Sequence, residues 1–557
     1  MNIPHRIPVQ GPFARVLVGS AAGERRAKSG EGPKERARAN AEPRFRGARL
    51  FRSCLLLMVS GLLVAGCASV PKDYPRTESA ALKDPESTAI GQYFSRAARR
   101  HPGKSGFAII RKPRPAFTAR VALTELAEKT LDMQYYLWEP DSTGRILAER
   151  LVRAADRGVR VRLLVDDMTL SGRDAAVAAI DAHPNIEIRV FNPLAHRKAR
   201  ALGFIADFNR VNHRMHNKLM VMDNAIAIVG GRNIGNHYFG VDTEANFRDL
   251  DIAAGGPVVR EISDVFDHFW NGSWSIPIAA LVDRPYTDAD LQATLKTVRE
   301  QIAEERYPHP LDQDVAELKS QLMGILDEFI WAPGRIVWDD PAEIAATGKT
   351  SALTEGVFKR VGRLDSELLI ESAYFAPRDR GADALAKLHD QGVRIRVLTN
   401  SLASNDVLAA HAGYTEHRAR LVADGIELHE LRPDPEPVSK KVLSGSSKAA
   451  LHTKAIVFDR KDVFIGSMNL DPRSGDINTE AGLYVESPEL AAQVIDYMDE
   501  GVRPENSYRV LLDENGKLYW LTESGGREQR YDKDPHSTGM QRFVAGFIRM
   551  LPVEGQL

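Results

Sequence analysis

The sequence contains only two cysteines in 557 residues, Cys54 and Cys67, and both precede the bulk of the chain. The body of the protein therefore has no disulfide framework. The formal net charge is −1, so the composition does not favour a nucleic-acid partner. With 43% hydrophobic and 27% charged residues, the chain is typical of a globular protein with a large buried core.

Long hydrophobic runs are also scarce, and the clearest one, Leu55–Val64, is too short to span a bilayer comfortably as a helix. It follows Arg52 and leads to Gly66 and Cys67, an ending that resembles the signal of bacterial lipoproteins. The resemblance implies a lipid anchor at Cys67 on the periplasmic or extracytoplasmic face of a membrane. It leaves inner or outer membrane open, and an uncleaved membrane anchor is the alternative.

Composition also divides the N-terminal region. Residues 1–49 are rich in Arg, Gly, Pro and Ala without apolar periodicity, which predicts disorder or a start codon assigned too early. Residues 50–67 form the predicted signal peptide. Residues 68–105 contain Pro71, Pro75 and Pro85 and are predicted to be a tether.

One pattern of residues occurs twice in the chain. The first copy runs from His216 through Lys218 to Asp223 and continues to Gly231 and Asn233. The second copy has, each 236 positions later, His452, Lys454, Asp459, Ser467 and Asn469. A single His-x-Lys is common by chance, whereas two copies with the same downstream asparagine indicate a duplicated site.

Each copy is predicted to be a buried strand, because apolar runs follow both lysines. Residues two apart on a strand share a face, so His216 and Lys218 project together. An ammonium that holds anionic oxygens beside an imidazole that attacks or protonates suits a phosphodiester. Asp223 is an odd number of residues from Lys218, so it points to the opposite face of the strand. It is followed directly by Asn224, and this pair predicts a hairpin turn. Asn233 offers an amide donor to phosphate oxygens.

Chemistry at phosphorus needs a nucleophile and a separate acid for the leaving alkoxide, and two copies supply both. The duplicated pattern resembles the phospholipase D superfamily, whose members work through a phosphohistidine intermediate without a metal or other cofactor. The resemblance implies an α/β fold of two duplicated domains, each a mixed sheet flanked by helices, packed with pseudo-twofold symmetry around one active site.

The resemblance also implies roles for individual residues. The catalytic set has three members from each copy: His216, Lys218, Asp223, His452, Lys454 and Asp459. The implied substrate-binding residues are Gly231, Asn233, Ser467 and Asn469. In the family, the histidine of the first copy is usually the nucleophile and that of the second is the acid. The resemblance therefore implies that His216 attacks and that His452 starts protonated, although the symmetry of the sequence leaves this assignment open.

The organisation of the chain around the motifs is an alternation of strands and helices. Strands are predicted at 131–138, 158–167 and 186–190, with a helix from 144 to 157, and the pattern returns at 368–375, 392–400 and 426–430. We therefore predict a first domain at 106–285, a helical connector at 286–340 and a second domain at 341–557.

Two features near the C-terminus add detail to this organisation. Asn515 and Gly516 predict a hairpin. The last helix carries Met540, Phe543 and Phe547 on one stripe, which we expect to pack against the core, with lipid contact as the alternative.

Each histidine needs a carboxylate that fixes its tautomer. Asp249 and Glu480 each lie eight residues before a proline and are the predicted orienting pair, with Glu244 as a rival to Asp249. Arg214 shares the parity of His216, which leaves an anion-holding role or a surface role open.

Two further groups of residues near the predicted strands are expected to be structural. Asp166 and Asp167 are expected to serve as turn or cap residues. The stretch Gln134–Trp138 is expected to be aromatic core, with a substrate pocket as the alternative.

Longer segments around the motifs narrow the resemblance. His213–Lys218, Gly230–Gly235 and Gly466–Ser474 are similar to the cardiolipin synthase C type of bacterial phosphatidyltransferase. This implies transfer of a phosphatidyl group to phosphatidylglycerol, with phospholipid substrates, a membrane and no nucleic acid as partners; a partner protein is left open. The alternatives are hydrolysis to phosphatidic acid, a nuclease of the same superfamily and a non-enzymatic envelope lipoprotein.

Overall fold

The computed structural model describes residues 70–305, 307, 314–343, 351–434 and 448–549. The predicted disordered segment 1–49, the signal peptide 50–67 with its Cys67, and the first residues of the tether lie outside this range. The described part of the tether is not a free spacer. It contains helix α1 (Ala89–Arg100), which Thr88 caps, and Phe94 from this helix is buried in the core.

A nine-stranded sheet forms the centre of the first half. Its strands, in chain order, are β1 (Ser105–Ile110), β2 (Thr130–Tyr135), β3 (Arg160–Asp166), β4 (Ile186–Phe191), β5 (Leu219–Met222), β6 (Ile226–Gly230), β8 (Asp251–Gly255), β9 (Ser275–Pro277) and β10 (Ile330–Ala332), with β7 (Ala245–Arg248) outside the sheet. Their spatial order is β10-β1-β8-β6-β5-β2-β3-β4-β9. Only β2, β3 and β4 pair in parallel, so the sheet is mixed.

Helices cover this sheet, and a side chain caps the start of one of them. The helices are α2 (Pro113–Leu126), α3 (Ser142–Asp156), α4 (Asp174–Asp181), α5 (Arg200–Ala206), α6 (Phe208–Val211) and α7 (Val258–Asn271), and short 3-10 turns lie at Pro85–Ser87, Asp167–Thr169, Asn236–Tyr238 and Ile278–Ala280. The Asp141 side chain accepts from the Gly144 N–H and so fixes the start of α3.

The predicted helical connector is helical for most of its described length, with α8 (Asp288–Glu304) and α9 (Val315–Asp327). Its last residues are extended instead. Strand β10 adds to the first sheet, and β11 (Gly334–Trp338) adds to the second. One short segment therefore contributes an edge strand to each sheet.

The second half repeats the design with a ten-stranded sheet. Its remaining strands are β12 (Glu367–Ser372), β13 (Arg394–Asn400), β14 (Glu427–Leu431), β16 (Lys454–Phe458), β17 (Asp462–Gly466), β18 (Ala481–Glu486), β19 (Ser507–Leu512), β20 (Leu518–Ser524) and β21 (Arg527–Tyr531), with β15 (Lys448–Leu451) outside it. The order is β11-β18-β17-β16-β12-β13-β14-β19-β20-β21. The Asn515-Gly516 hairpin is confirmed between β19 and β20.

The helices of the second half are α10 (Ala352–Val361), α11 (Arg378–Asp390), α12 (Leu408–Ala423), α13 (Pro472–Asp476), α14 (Pro488–Gly501) and α15 (Gly539–Arg549). Our expectation that the stripe on α15 packs against the core is wrong. Met540 and Phe543 are each 70% exposed and Phe547 is 45% exposed. The helix packs through Ala545 instead, so the three large side chains remain on the open face.

One hydrophobic core joins the two halves. It contains buried side chains of α7 and α14 together with residues from both sheets, such as Ile252 of β8 and Val463 of β17. Burial of apolar side chains is the dominant favourable term in folding, so the two halves stabilise each other. The expected mixed α/β fold with two duplicated domains is confirmed.

Candidate active site

The backbone of each half binds the segment that carries the histidine of the other half. Met215 forms a parallel bridge with Thr479, and the His216 N–H donates to the Thr479 carbonyl at 2.9 Å. Thr479 immediately precedes Glu480. This contact therefore brings a carboxylate of the second half to the histidine of the first.

The other histidine is held in the same way. Strands β7 and β15 form a small parallel sheet across the halves, and the His452 N–H donates to the Arg248 carbonyl at 2.8 Å. Arg248 immediately precedes Asp249. The duplicated chain thus builds one composite site.

The carboxylates reach the histidines across this junction. Nδ1 of His216 lies 2.9 and 3.0 Å from the two oxygens of Glu480. Nδ1 of His452 lies 2.7 Å from Oδ2 of Asp249. The structure places Asp249 here and leaves Glu244, the rival residue, exposed. The sequence did not indicate that each carboxylate serves the opposite half.

These contacts assign the tautomer of each ring. A carboxylate accepts the proton on Nδ1, so the lone pair of the neutral imidazole lies on Nε2. Both histidines and both carboxylates are buried. Each ring is therefore oriented to attack, or to exchange a proton, through Nε2.

The two lysines are buried beside the histidines. The ammonium groups of Lys218 and Lys454 donate to the carbonyl oxygens of His216 and His452. Burial lowers the pKa of Lys218 well below its usual range and lowers the pKa of Lys454 to about 8. Both lysines lie where an anion would compensate the desolvation of their charge.

Burial and the two lysine charges lower the pKa of both histidines well below the usual value. Burial also raises the pKa of Asp249, and raises the pKa of Glu480 to about 7. These shifts favour neutral histidines in the unliganded site. Our assignment of His452 as the acid that starts protonated stays a prediction.

Asp223 and Asp459 require a correction, because they lie at the far ends of the motif strands. Each has a positive φ, of 53° and 51°. Asp223 accepts from the N–H groups of residues 128–130, and Asp459 accepts from those of 365–367. Five residues of strand span roughly 16 Å. These aspartates hold the hairpins, as strand parity predicted, and do not belong with the catalytic groups.

Gly231 and Ser467, which were expected to contact the substrate, contact the orienting carboxylates instead. A Cβ on Gly231 would lie 2.2 Å from Oδ1 of Asp249, so glycine is needed here for the approach of that carboxylate. The Ser467 hydroxyl donates to Glu480 and accepts from the Ala481 N–H. Both residues therefore support the orienting carboxylates.

The two asparagines differ from each other. Asn233 accepts from the Leu137 N–H and donates to the Tyr238 hydroxyl at 2.8 Å. Asn469 is buried, and its Oδ1 receives no hydrogen bond from any residue that the structure describes. Its amide is the more available of the two for a ligand.

Sequence reasoning missed the aromatic rings around the histidines. Tyr136 meets the His216 ring edge-on at 4.9 Å, and Tyr238 meets His452 in the same way at 5.1 Å. Phe247 lies 5.1 Å from the His452 ring. Tyr136 belongs to the stretch that was expected to be aromatic core. Because side chains alternate between the two faces of a strand, Tyr136 points away from its buried neighbour Tyr135, and this alternation could have indicated its place at the site.

Arg214, Asp166 and Asp167 have structural roles. Arg214 is buried, with its guanidinium 3.2 Å from Asp166 and 2.9 Å from the Asn192 carbonyl, so it does not hold a second anion. Asp166 caps a 3-10 turn, and Asp167 pairs with Arg197 at 2.6 Å. Asp166 therefore has the expected cap role, whereas Asp167 forms a buried ion pair that the sequence did not predict.

The described residues contain neither a metal-binding cluster nor a membrane-spanning helix. Within the described ranges, no group of three or more His, Cys, Asp and Glu side chains is arranged to hold a metal ion. None of the helices in those ranges has the length and apolar character needed to cross a bilayer.

Two His-x-Lys elements that share one buried site define a phospholipase D-type phosphatidyltransferase. The family model described as cardiolipin synthase, phospholipase D-like domain, matches residues 122–270 and 361–501. The chain belongs to this family.

Relatives support the assignment. Cardiolipin synthase C of Escherichia coli strain K12 is 39% identical over 82% of this chain and 96% of its own length. An uncharacterized protein of Helicobacter pylori strain 26695 is 30% identical over 79% and 88%. The solved phosphatidylserine synthase of Haemophilus influenzae Rd KW20 has a TM-score of 0.53 at 14% identity, covering 84% of this chain and 100% of that one, and shows the fold alone.

Proposed function

We propose that this protein makes cardiolipin by transferring a phosphatidyl group to the head-group hydroxyl of phosphatidylglycerol. The observation that carries the proposal is the reciprocal pairing of His216 with Glu480 and of His452 with Asp249 in one site. Two oriented imidazoles beside two ammonium groups are what a two-step transfer at phosphorus requires. The 39% identity to the Escherichia coli synthase supports this choice of product.

In the proposed first step, Nε2 of His216 attacks phosphorus and the bond to the donor's head-group oxygen breaks. His452 gives that oxygen its proton. In the second step, His452 takes the proton of the phosphatidylglycerol hydroxyl, whose oxygen attacks phosphorus as the N–P bond breaks. Lys218 and Lys454 balance the charge on the phosphoryl oxygens throughout.

The neutral resting histidines fit this scheme once the anionic substrate is included. Two lysines and two orienting carboxylates cancel in charge if all four are ionised. A bound phosphodiester adds one negative charge, which favours one imidazolium. In this scheme His452 takes up its proton when the substrate binds.

We further propose that the protein works at a membrane surface outside the cytoplasm, attached through acylated Cys67. The open apolar face of α15, with Arg542 and Arg549 exposed on the same helix, supports contact with anionic lipid. A fatty-acid probe tests the anchor: we expect labelling of the native chain and none of Cys67→Ala. Equal labelling of both chains would remove the anchor from the proposal.

The test of the activity is mass spectrometry of vesicles of phosphatidylglycerol and phosphatidylethanolamine incubated with the protein or with His216→Ala. We expect cardiolipin with the native protein only. Phosphatidic acid without cardiolipin would make the protein a hydrolase. Cardiolipin formed equally by His216→Ala would refute the assigned site.

A further inference from the structure

A cavity of about 180 Å³ lies in the second half between α10, α11 and the strands β12 and β16. Its wall is mainly apolar and includes Val357, Leu385, Ile456 and Met468. Asn469, whose amide oxygen is buried, belongs to the same wall. The Asn469 N–H donates to the Ser474 hydroxyl, which in turn donates to Glu480, so the cavity borders the candidate active site.

The two halves can be aligned here through their hairpin aspartates. The N–H groups of residues 128–130 donate to the first aspartate and those of 365–367 to the second. The aligned segments are therefore 237 positions apart. By this register Val357 in the cavity wall corresponds to Arg120 of the first half.

The motif interval of 236 gives two further correspondences. Met468 stands where the first half has Arg232, and Gly475 stands where it has Phe239. Met468 and Gly475 both line the cavity. The three matched positions therefore carry two arginines and a phenylalanine in one half, and valine, methionine and glycine in the other.

The larger residues fill the equivalent space in the first half. Arg120 and Arg232 are buried and lie 2.9 and 3.1 Å from the carboxylate of Asp251. The Arg120 guanidinium also lies 5.3 Å from the centre of the Phe239 ring. The second half has smaller side chains at these positions, and its cavity lies where the first half has this buried cluster.

We propose that the cavity binds the hydrocarbon of one acyl chain of the phospholipid whose phosphate lies at the two histidines. The position of the phosphate rests on the proposed function. An apolar cavity of about 150 Å³ stays dry and accepts a guest the size of benzene, so this one has room for a similar number of carbons. Asn469 lies where the polar end of such a lipid enters.

The charged residues in the wall do not oppose an apolar guest. Arg378 is paired with Asp476 at 2.5 Å. The guanidinium of Arg380 lies 5.6 Å from the centre of the Phe358 ring. Asp471, also in the wall, caps the start of α13 with its side chain. The charged side chains of the wall are therefore paired, stacked or hydrogen-bonded, and the space between α10 and the sheet remains hydrocarbon in character.

The first experiment locates the chain without requiring turnover. His216→Ala protein is mixed with phosphatidylglycerol that carries a diazirine about six carbons along one acyl chain, within the length that the cavity can hold, and is then irradiated and digested. We expect labelled peptides that contain Val357 or Leu385. The Gly475→Phe variant in the same background should lose at least about 80% of that label, because a Cβ at Gly475 meets nothing within 4 Å and the ring occupies the cavity.

Two variants control this result. Gly356→Phe adds the same ring to an exposed position of α10, where a Cβ also meets nothing within 4 Å, and should keep the label. Ala384→Phe fills the cavity from α11 and should repeat the loss if Gly475→Phe does not fold. Label that is absent from the cavity peptides, or that both filled variants keep, would overturn the proposal.

The second experiment uses soluble phosphatidylglycerols with four-carbon or eight-carbon chains, because only the longer chain can fill a cavity that has room for about six carbons. We expect the native protein to prefer the longer chain at least tenfold in kcat/KM, and Gly475→Phe to reduce that preference to about twofold. Turnover without a change in preference would overturn the cavity proposal alone. Cavity labelling without any transfer activity would instead refute the proposed function and leave the chain-binding site standing.

Discussion

The two halves carry the same motif in different surroundings. His216 faces both oxygens of Glu480, which also accepts from the Ser474 hydroxyl at 2.7 Å and has its backbone N–H bonded to Asp339. His452 faces a single oxygen of Asp249. A symmetric sequence motif has therefore been placed in two sites that are not chemically equivalent.

The halves also differ in what lies behind the motif. The first half fills the space with the Arg120, Arg232 and Asp251 cluster, whereas the second leaves an apolar cavity. The space behind the second motif is therefore open to an apolar guest, whereas the space behind the first is occupied by paired side chains.

The largest effect expected is the loss of either histidine, because no other group replaces a nucleophile or its acid. His216→Ala and His452→Ala should each lower transfer by about 10⁴-fold or more. With radiolabelled phosphatidylglycerol, His452→Ala should still trap an acid-labile phosphoenzyme and His216→Ala should not. The reverse pattern of trapping would exchange the roles of the two halves.

Next in size is the loss of an orienting carboxylate. Asp249→Asn and Glu480→Gln keep the shape of the site but remove the charge that fixes each tautomer, so transfer should fall about 10²- to 10⁴-fold. In NMR spectra of ring-labelled histidines, Asp249→Asn should move the signals of His452 and leave those of His216 in place. Movement of the His216 signals alone would contradict the crossed pairing.

Much of this site was predictable from sequence, for local reasons. Alternation on a strand put His216 and Lys218 on one face, and the same rule removed Asp223 from it. The interval to a following proline distinguished Asp249 from Glu244. These are rules about neighbours along the chain, and the structure follows them.

What escaped prediction depends on contacts between residues that are distant in the sequence. Nothing local indicates that Thr479 binds His216, or that β7 pairs with β15. The stripe on α15 has helical periodicity, but periodicity does not say whether a partner covers it. Arg214 shares the parity of His216, and its burial against Asp166 depends on strands distant in sequence.

A third effect concerns stability, and it also distinguishes the halves. Burial raises the pKa of Glu480 to about 7 from 4.5. Between these two pH values the folded state holds a proton that the unfolded state releases. The contribution of Glu480 to the free energy of unfolding is therefore fully present below pH 4.5 and is lost as the pH rises through 7. Glutamine does not titrate, so Glu480→Gln should abolish this pH-dependent decrease in stability, which is worth roughly 3 kcal/mol.

The corresponding measurement is thermal unfolding of both proteins from pH 5 to pH 8. The Tm of the native protein should fall relative to that of Glu480→Gln as the pH rises. Glu355→Gln, at an exposed position of α10, should follow the native protein. A constant difference between native protein and Glu480→Gln would show that this carboxyl group is ionised at both ends of the range.

The smallest effect expected concerns α15, which extends the second half with an open apolar face. Replacement of Met540, Phe543 and Phe547 by serine removes side chains that would each gain about 1.5–3 kcal/mol if fully buried, so even partial insertion should be worth tenfold or more in vesicle binding. Sedimentation with phosphatidylglycerol vesicles measures this, in a Cys67→Ala background that excludes an acyl anchor. Serine at Val315 and Met323, exposed on α9, is the matched control. If the double serine variant on α9 lowers vesicle binding as much as the triple variant on α15, the contact with the vesicle is nonspecific. The open face of α15 would then not be the surface through which the second half binds the membrane.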